Sequence, residues 1–188
     1  MNRKVNANDF KETTESQHLE FKKSLSLRKD ALEALNAMVN SDAAKGCVVF
    51  GIDPQGAVVG IEPGNLDSAQ QSLSQHIREK FEPALVHTIE ILDCEGKVLL
   101  TIQAERSKNT PYHEYDGRAF IREGSSNRQL SLQEKKGFTK RRDRDQHNGP
   151  WKCDGCGSVV GMLMNMNVSD QGVTKSYYCD CGGSYWPI

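Results

Sequence analysis

Four cysteines in the last 36 residues constrain this chain more than any other feature. Cys153, Cys156, Cys179 and Cys181 read as C-x2-C, a gap of 22 residues, then C-x-C. A segment of fewer than about 40 residues buries too little apolar surface to order itself, so a cross-link, a metal or a partner must contribute. Thiolates are strong zinc ligands, and a tight turn after the first cysteine of each pair lets two sulfurs meet one tetrahedral ion.

The residues between the pairs fit that solution. VVGMLMNMNV and VTKSYY read as two strands joined by the turn-rich SDQG, and such a hairpin carries both pairs to the same end. The first pair, CDGCG, has the Gly-rich form of a zinc knuckle; the second, CDCGG, is one residue shorter than the usual C-x2-C. Four thiolates close the shell and leave no position for water, so the expected Zn²⁺ is structural rather than catalytic. Two disulfides are the other solution, and they require an oxidising compartment that nothing else in the sequence indicates. Cys47 in GCVVFGI and Cys94 in ILDCEGK sit in apolar surroundings and read as small core residues.

The 188 residues leave room for one ordinary domain beside this appendage. The expected organisation is a main domain over 8–130, a basic helix and linker over 131–150 and a zinc ribbon over 151–188. SLQEKKGFTKRRDRDQHNGP has few large apolar residues and ends in the breaker Gly149-Pro150, so it reads as a short helix fading into a linker. Its Lys and Arg outnumber its acids, which makes a solvated face or a permissive phosphate contact.

Over the whole chain, 24 Lys and Arg face 25 Asp and Glu, a formal net charge of -1. Attraction of a polyanion by overall charge is thereby excluded, and any nucleic-acid contact must come from local clusters. There is no apolar run of 18 residues and no basic-then-apolar leader, so a soluble, cytoplasmic protein without a membrane span is expected. No P-loop motif is present.

Within the main domain, RKDALEALNAMVNS sets Leu32, Leu35, Met38 and Val39 on one helical stripe. CVVFGID reads as a buried strand, PQG as a turn and AVVGI as its hairpin partner. Leu66, Ala69, Leu73, Ile77 and Phe81 mark a second helix. VHTIEILD and KVLLTIQA flank the turn CEG, and RAFIREG closes the series as a last strand. The fold class expected from this order is α+β, a mixed sheet with two main helices, plus the small C-terminal β zinc ribbon.

ESQHLEFKKS, residues 15–24, places acids and lysines around two large apolar residues. As a strand it sends Leu19 and Phe21 to one face, and Glu20 and Lys22 to the other. One face is then core and the other charged. Glu20 and Asp53 both read as lying outside the core, so their removal is expected to leave the fold intact.

ESQHLEFKKS, the run NAMVNSDAAKGCVVFGIDPQGAVVGIE and PYHEYDGRAFIREGSSNR together resemble the Alba-like domain of the Schlafen family over roughly two-thirds of the chain. SDAAKG departs from the Gly-Gly that follows Asn-Thr in many members. The resemblance implies two kinds of function. One is an endoribonuclease that cleaves transfer RNA or other structured RNA with a divalent metal; the other is a DNA-binding or transcription-related protein. For the nuclease, three carboxylates by motif position correspond to Glu15, Glu20 and Asp53, with Lys22 beside them.

Such a set has a chemical rationale. Carboxylates holding Mg²⁺ or Mn²⁺ offset charge on a phosphorane-like centre, while the Lys22 ammonium neutralises a phosphate oxygen or orients a nucleophile. Exposed strand faces also carry Glu and Lys routinely, and Asp before Pro-x-Gly is ordinary turn chemistry.

The third motif supplies a binding surface. Tyr112, His113 and Tyr115 can stack on bases, and Arg118, Arg122 and Arg128 can engage phosphates, a combination suited to RNA. Arg118 and Arg122 sit an even number apart and share a strand face on this reading. The leading expectation is a metal-dependent endoribonuclease acting on RNA, and its rival is a non-catalytic DNA-binding regulator whose ribbon docks nucleic acid or protein. The resemblance also implies a homodimer, because one lobe cannot enclose a duplex.

Overall fold

The computed structural model describes residues 3–7, 10, 15–62, 64, 66–107, 109–146, 151–160, 166–169, 172–175, 181 and 185–187. They divide into two compact units, Met1–Lys136 and Gly137–Ile188. The fold is α+β, as the order of elements predicts.

The first unit is built on a five-stranded mixed sheet. Its strands are β1 (Arg3–Val5), β2 (Leu19–Lys22), β3 (Lys45–Phe50), β5 (Val86–Cys94) and β6 (Lys97–Glu105), in the spatial order β1-β5-β6-β3-β2. The outer pairs are parallel, β1 with β5 and β2 with β3; the inner pairs are antiparallel. β5 and β6 form the expected hairpin, turning at Glu95 and Gly96 with positive φ at both.

Two helices pack on the sheet. α1 (Arg28–Val39) is rich in Ala and Leu, strong helix formers, and carries Asp30 in its first turn. α2 (Leu66–Lys80) buries Leu73 and Ile77 and ends with Arg78 and Lys80, cations that suit a helix C-terminus. Leu32, Leu35 and Met38 meet Val48, Phe50, Leu100 and Ile102 in the larger core. A smaller core on the opposite face joins Phe21, Val49, Ile52, Leu92 and Leu99, with Phe10 edge-on to Phe21 at 6.3 Å. Gly46 on β3 permits the close approach of α1, since a Cβ there would lie 2.7 Å from Met38 Cβ.

Three expectations need correction. AVVGI is not the hairpin partner of β3, whose neighbours are β2 and β6; it makes the isolated bridges Ile52 to Val58 and Ile61 to Val98 and turns back on the end of that strand, where Val59 N and Gly60 N donate to the Gly51 carbonyl. RAFIREG contributes β8 (Phe120–Glu123), which pairs with β9 (Ser126–Gln129) as a separate hairpin rather than joining the main sheet. A two-stranded pair also forms between β4 (Phe81–Glu82) and β7 (Glu114–Tyr115).

The third correction concerns α1, which is buried from Ala31 to Val39 apart from half-buried Glu33, rather than along one stripe. The segment leading into β8 covers its outer side. Asn36 and Asn40 do the fastening: Asn40 Nδ2 donates to the carbonyls of His113 and Phe120 at 2.9 Å each, and Asn40 Oδ1 accepts from His113 N at 2.8 Å. Asn36 Oδ1 accepts from Phe120 N at 2.8 Å, and Asn36 Nδ2 donates to His113 O at 2.9 Å. Both side chains are fully buried. Asn40→Ala takes the side-chain partner from two buried backbone groups, His113 N and the Phe120 carbonyl, while the His113 carbonyl keeps Asn36, so we expect a loss of about 2–3 kcal/mol of stability, read as a lowered urea midpoint; an unchanged midpoint would refute this.

α3 (Leu132–Gln146) forms within the basic segment where a short helix fading into a linker was expected, and residues 147–150 of that segment lie outside the described residues. A capping box starts it: Ser131 N donates to Glu134 Oε2 at 2.8 Å, and Glu134 N donates to Ser131 Oγ at 3.3 Å.

The second unit holds the three-stranded sheet β11-β10-β14, made of β10 (Trp151–Cys153), β11 (Val159–Val160) and β14 (Tyr185–Pro187). β12 (Met166–Ser169) and β13 (Gly172–Lys175) pair antiparallel on either side of the predicted SDQG turn.

Candidate functional site

Glu20 lies at the centre of the predicted site, and it is buried. In the parallel register with β3 it stands beside Val48 and Lys22 beside Phe50, so both point to the face that α1 covers. The β8–β9 hairpin closes over that face. Arg122 Nη2 donates to Glu20 Oε2 at 2.6 Å, and the Lys22 ammonium pairs with Glu20 Oε1. The expectation that Glu20 sits outside the core is therefore wrong. An apolar environment tolerates a carboxylate only when it is paired and hydrogen-bonded, and here two cations do the pairing.

Arg122 is likewise interior, with a side chain only 1% exposed. Its Nη1 donates to Asn127 Oδ1 at 2.7 Å. It shares no binding face with Arg118, which stays near the surface, reaches Glu33 Oε1 at 3.1 Å and lies over the Phe120 ring. His113 and Tyr115 are core residues as well. His113 Nδ1 contacts the Pro83 carbonyl at 2.7 Å, and burial holds its pKa below the ordinary value. The Tyr115 hydroxyl meets His76 Nε2 at 3.0 Å, and burial pushes its pKa up to about 12.

Of the residues assigned to nucleic acid, Tyr112, Arg118 and Arg128 keep surface exposure. Arg128 bridges Glu123 and Glu134 at 2.8 Å each, and Lys135 lies 5.8 Å from the centre of the Tyr112 ring.

Glu15 and Asp53 are occupied by backbone. Glu15 Oε1 accepts from Phe21 N at 3.0 Å, and Asp53 Oδ1 accepts from Gln55 N at 3.0 Å and Ala57 N at 2.8 Å, a local Asx-type turn. The ligand atoms of Glu15, Glu20 and Asp53 do not gather: among the described residues, the one group of three or more His, Cys, Asp or Glu ligand atoms within 4.8 Å of one another is Cys153, Cys156 and Cys181. A divalent ion coordinated by oxygen needs several free carboxylate or carbonyl oxygens around one point. The three carboxylates present here do not fit one.

The thiols do fit a metal. Gly157 N donates to Cys153 O at 3.0 Å and Cys153 N to Ser158 O at 2.9 Å, a tight knuckle that Gly157 completes with φ of 72°. Cys153 Sγ and Cys181 Sγ lie 3.4 Å apart. Zn–S bonds of about 2.3 Å in a tetrahedron put sulfurs roughly 3.8 Å apart, so the spacing suits zinc, while a disulfide requires about 2.05 Å. Hydrogen bonding with Ser158 holds the Cys156 thiol below its ordinary pKa. Cys179 lies outside the described residues.

Sequence reasoning missed two features. Asn36 and Asn40 carry a readable signal, being polar residues one helical turn apart within an apolar helix. The partnership of Arg122 with Glu20, across 102 positions, carries none. A cleft of about 400 Å³ between His18, Lys45, Cys47, Thr88 and Gln103 contains none of the predicted residues.

The family model for Schlafen, AlbA_2 matches residues 15–131, more than half of the chain. The protein belongs to this family. The match begins at Glu15 and ends at Ser131, so it takes in β2, both helices and the β8–β9 hairpin. Among solved structures, the DIP2311 protein from Corynebacterium diphtheriae is similar at 17% identity and a TM-score of 0.48. That similarity covers 67% of this chain and 24% of the other, so the Schlafen AlbA_2 chain spans about a quarter of that protein's length. The N-terminal domain of a RecG-related protein from Nitrosomonas europaea is similar at 24% identity and a TM-score of 0.47, covering 67% of this chain and 91% of that one. No curated protein matches. Among the described residues no helix is long and apolar enough to cross a membrane.

Proposed function

We propose that this Schlafen AlbA_2 chain binds nucleic acid, structured RNA foremost. The family match over residues 15–131 carries the reading. Surface chemistry supports it: Arg118 and Arg128 have side chains 40% and 43% exposed and are paired with acids there. Exposed ion pairs contribute about 0–1 kcal/mol, so phosphates can take the place of those acids at little cost. Tyr112 adds a half-exposed ring for stacking, with the Lys135 ammonium 5.8 Å from its centre.

Metal-dependent RNA cleavage, the finer activity implied by the resemblance, draws no support from carboxylates committed to other partners. Binding is the reading favoured by the geometry. One experiment separates them: electrophoresis of the purified chain with transfer RNA, single-stranded RNA or duplex DNA, with and without Mn²⁺. Shifted but intact RNA is the expected result. Fragments that appear only with Mn²⁺ would assign an endoribonuclease, a preference for the DNA duplex would favour the regulator, and no shift with any of the three would overturn the proposal.

For the second unit we propose one structural Zn²⁺ held by Cys153, Cys156 and Cys181, with Cys179 completing the shell. The chain is also expected to act as a homodimer, since a duplex needs a second lobe to enclose it.

A further inference from the structure

Among the described residues of the first unit, the buried charges Arg122 and Glu20 lie where the family resemblance would place a divalent ion, with partly buried Lys22 beside them. Arg122, Glu20 and Lys22 form a graded series, with side chains 1%, 10% and 18% exposed. Arg122 is held from behind by Asn127 Oδ1 at 2.7 Å and grips one oxygen of Glu20, while Lys22 takes the other. Within the trio two cations face one carboxylate, and the outermost member of the series is the Lys22 ammonium. A metal ion at Glu20 would have to displace both cations and then remain beside them. Glu15 and Asp53 would bring no free cluster of oxygens to offset that repulsion.

We infer that Glu20, Lys22 and Arg122 form a metal-free seat for a nucleic-acid phosphate, in which Lys22 makes the contact and Arg122 positions it through Glu20. The inference rests on the nucleic-acid reading above and assigns it a residue and an ionic requirement. Glu20 is the counter-ion that orients the ammonium, and the protein's own cations supply the charge that a divalent ion would otherwise bring. A partly buried cation is also screened less by salt than an exposed one, which suits Lys22 to a fixed contact.

The test is fluorescence anisotropy of labelled transfer RNA over a salt series, in magnesium-free buffer and with added Mn²⁺, the zinc being left in place. For the wild type we expect the same Kd with and without Mn²⁺. Lys22→Ala should weaken binding and reduce the slope of log K against log salt by about 0.7–0.9, the share of one phosphate, and Lys22→Arg should restore it. Arg122→Lys keeps the charge but not the fork to Glu20 and Asn127, so it should weaken binding although Lys22 is intact. Should that variant fail to fold, the two Lys22 variants decide alone.

Stoichiometric Mn²⁺ binding, seen by electron paramagnetic resonance and lost in Glu20→Gln, would overturn the inference and leave the nucleic-acid reading standing. So would an unchanged salt slope in Lys22→Ala. Absence of binding to RNA and DNA in every condition would overturn both.

Discussion

Glu20→Ala is expected to destabilise the first unit by about 3–5 kcal/mol, the usual cost of leaving a buried ion without its counter-charge. Arg122 would keep Asn127 and a 3.5 Å approach to the Ser16 carbonyl, neither of which neutralises a guanidinium that is almost wholly enclosed. Urea unfolding should show a lower midpoint with little change in slope. Replacing both partners, Glu20→Met with Arg122→Met, removes the stranded charge along with its partner and should recover most of the loss. A wild-type midpoint for Glu20→Ala would return Glu20 to the solvated strand face that period-two alternation suggests. Loss of RNA binding in this variant would carry no catalytic meaning unless its fold had first been measured.

Removing zinc should unfold the second unit and spare the first. Structural zinc sites contribute roughly 10–16 kcal/mol of apparent binding free energy, and in a short segment this is folding free energy. The strands β10 to β14 are two to four residues each, too short to persist without it. The first unit has two apolar cores of its own. Chelation followed by hydrogen exchange should therefore expose amides beyond residue 150 and leave β3 and β6 protected. Elemental analysis should find about one zinc per chain, lost in Cys153→Ser. Zinc-free protein with four thiols that resist titration in native, non-reducing conditions would establish the disulfide solution instead.

Most elements of the fold were legible because local pattern and global packing agree in them. Leu66, Leu73 and Ile77 repeat at helical spacing, and α2 forms there. CVVFGI is a continuous apolar run, and β3 lies near the centre of the sheet with neighbours on both sides. AVVGI misled because its composition suits a strand while both edges of β3 were already taken. The candidate site was legible in its membership only. Glu20, Lys22 and Arg122 all stand out as charged residues in the quoted motifs, yet alternation along β2 cannot reveal that a hairpin beginning a hundred positions later covers its charged face. His113 and Tyr115 failed for the same reason: residue type suggests a stacking surface, whereas the bonds of Asn36 and Asn40 draw that segment into the core.

β2 closes one side of the sheet, and an edge strand normally offers its free amides and carbonyls to any other strand. The carbonyls of His18 and Lys22 face β3, where Cys47 N and Gly51 N donate to them, so Leu19 and Phe21 turn their polar groups outward. Two of those four groups are already engaged: Leu19 O accepts from Ser16 N at 3.0 Å, and Phe21 N donates to Glu15 Oε1. Glu15 thus ends the sheet the way a knot ends a thread. A strand added at this border would first have to displace the Glu15 carboxylate and the Ser16 amide from it.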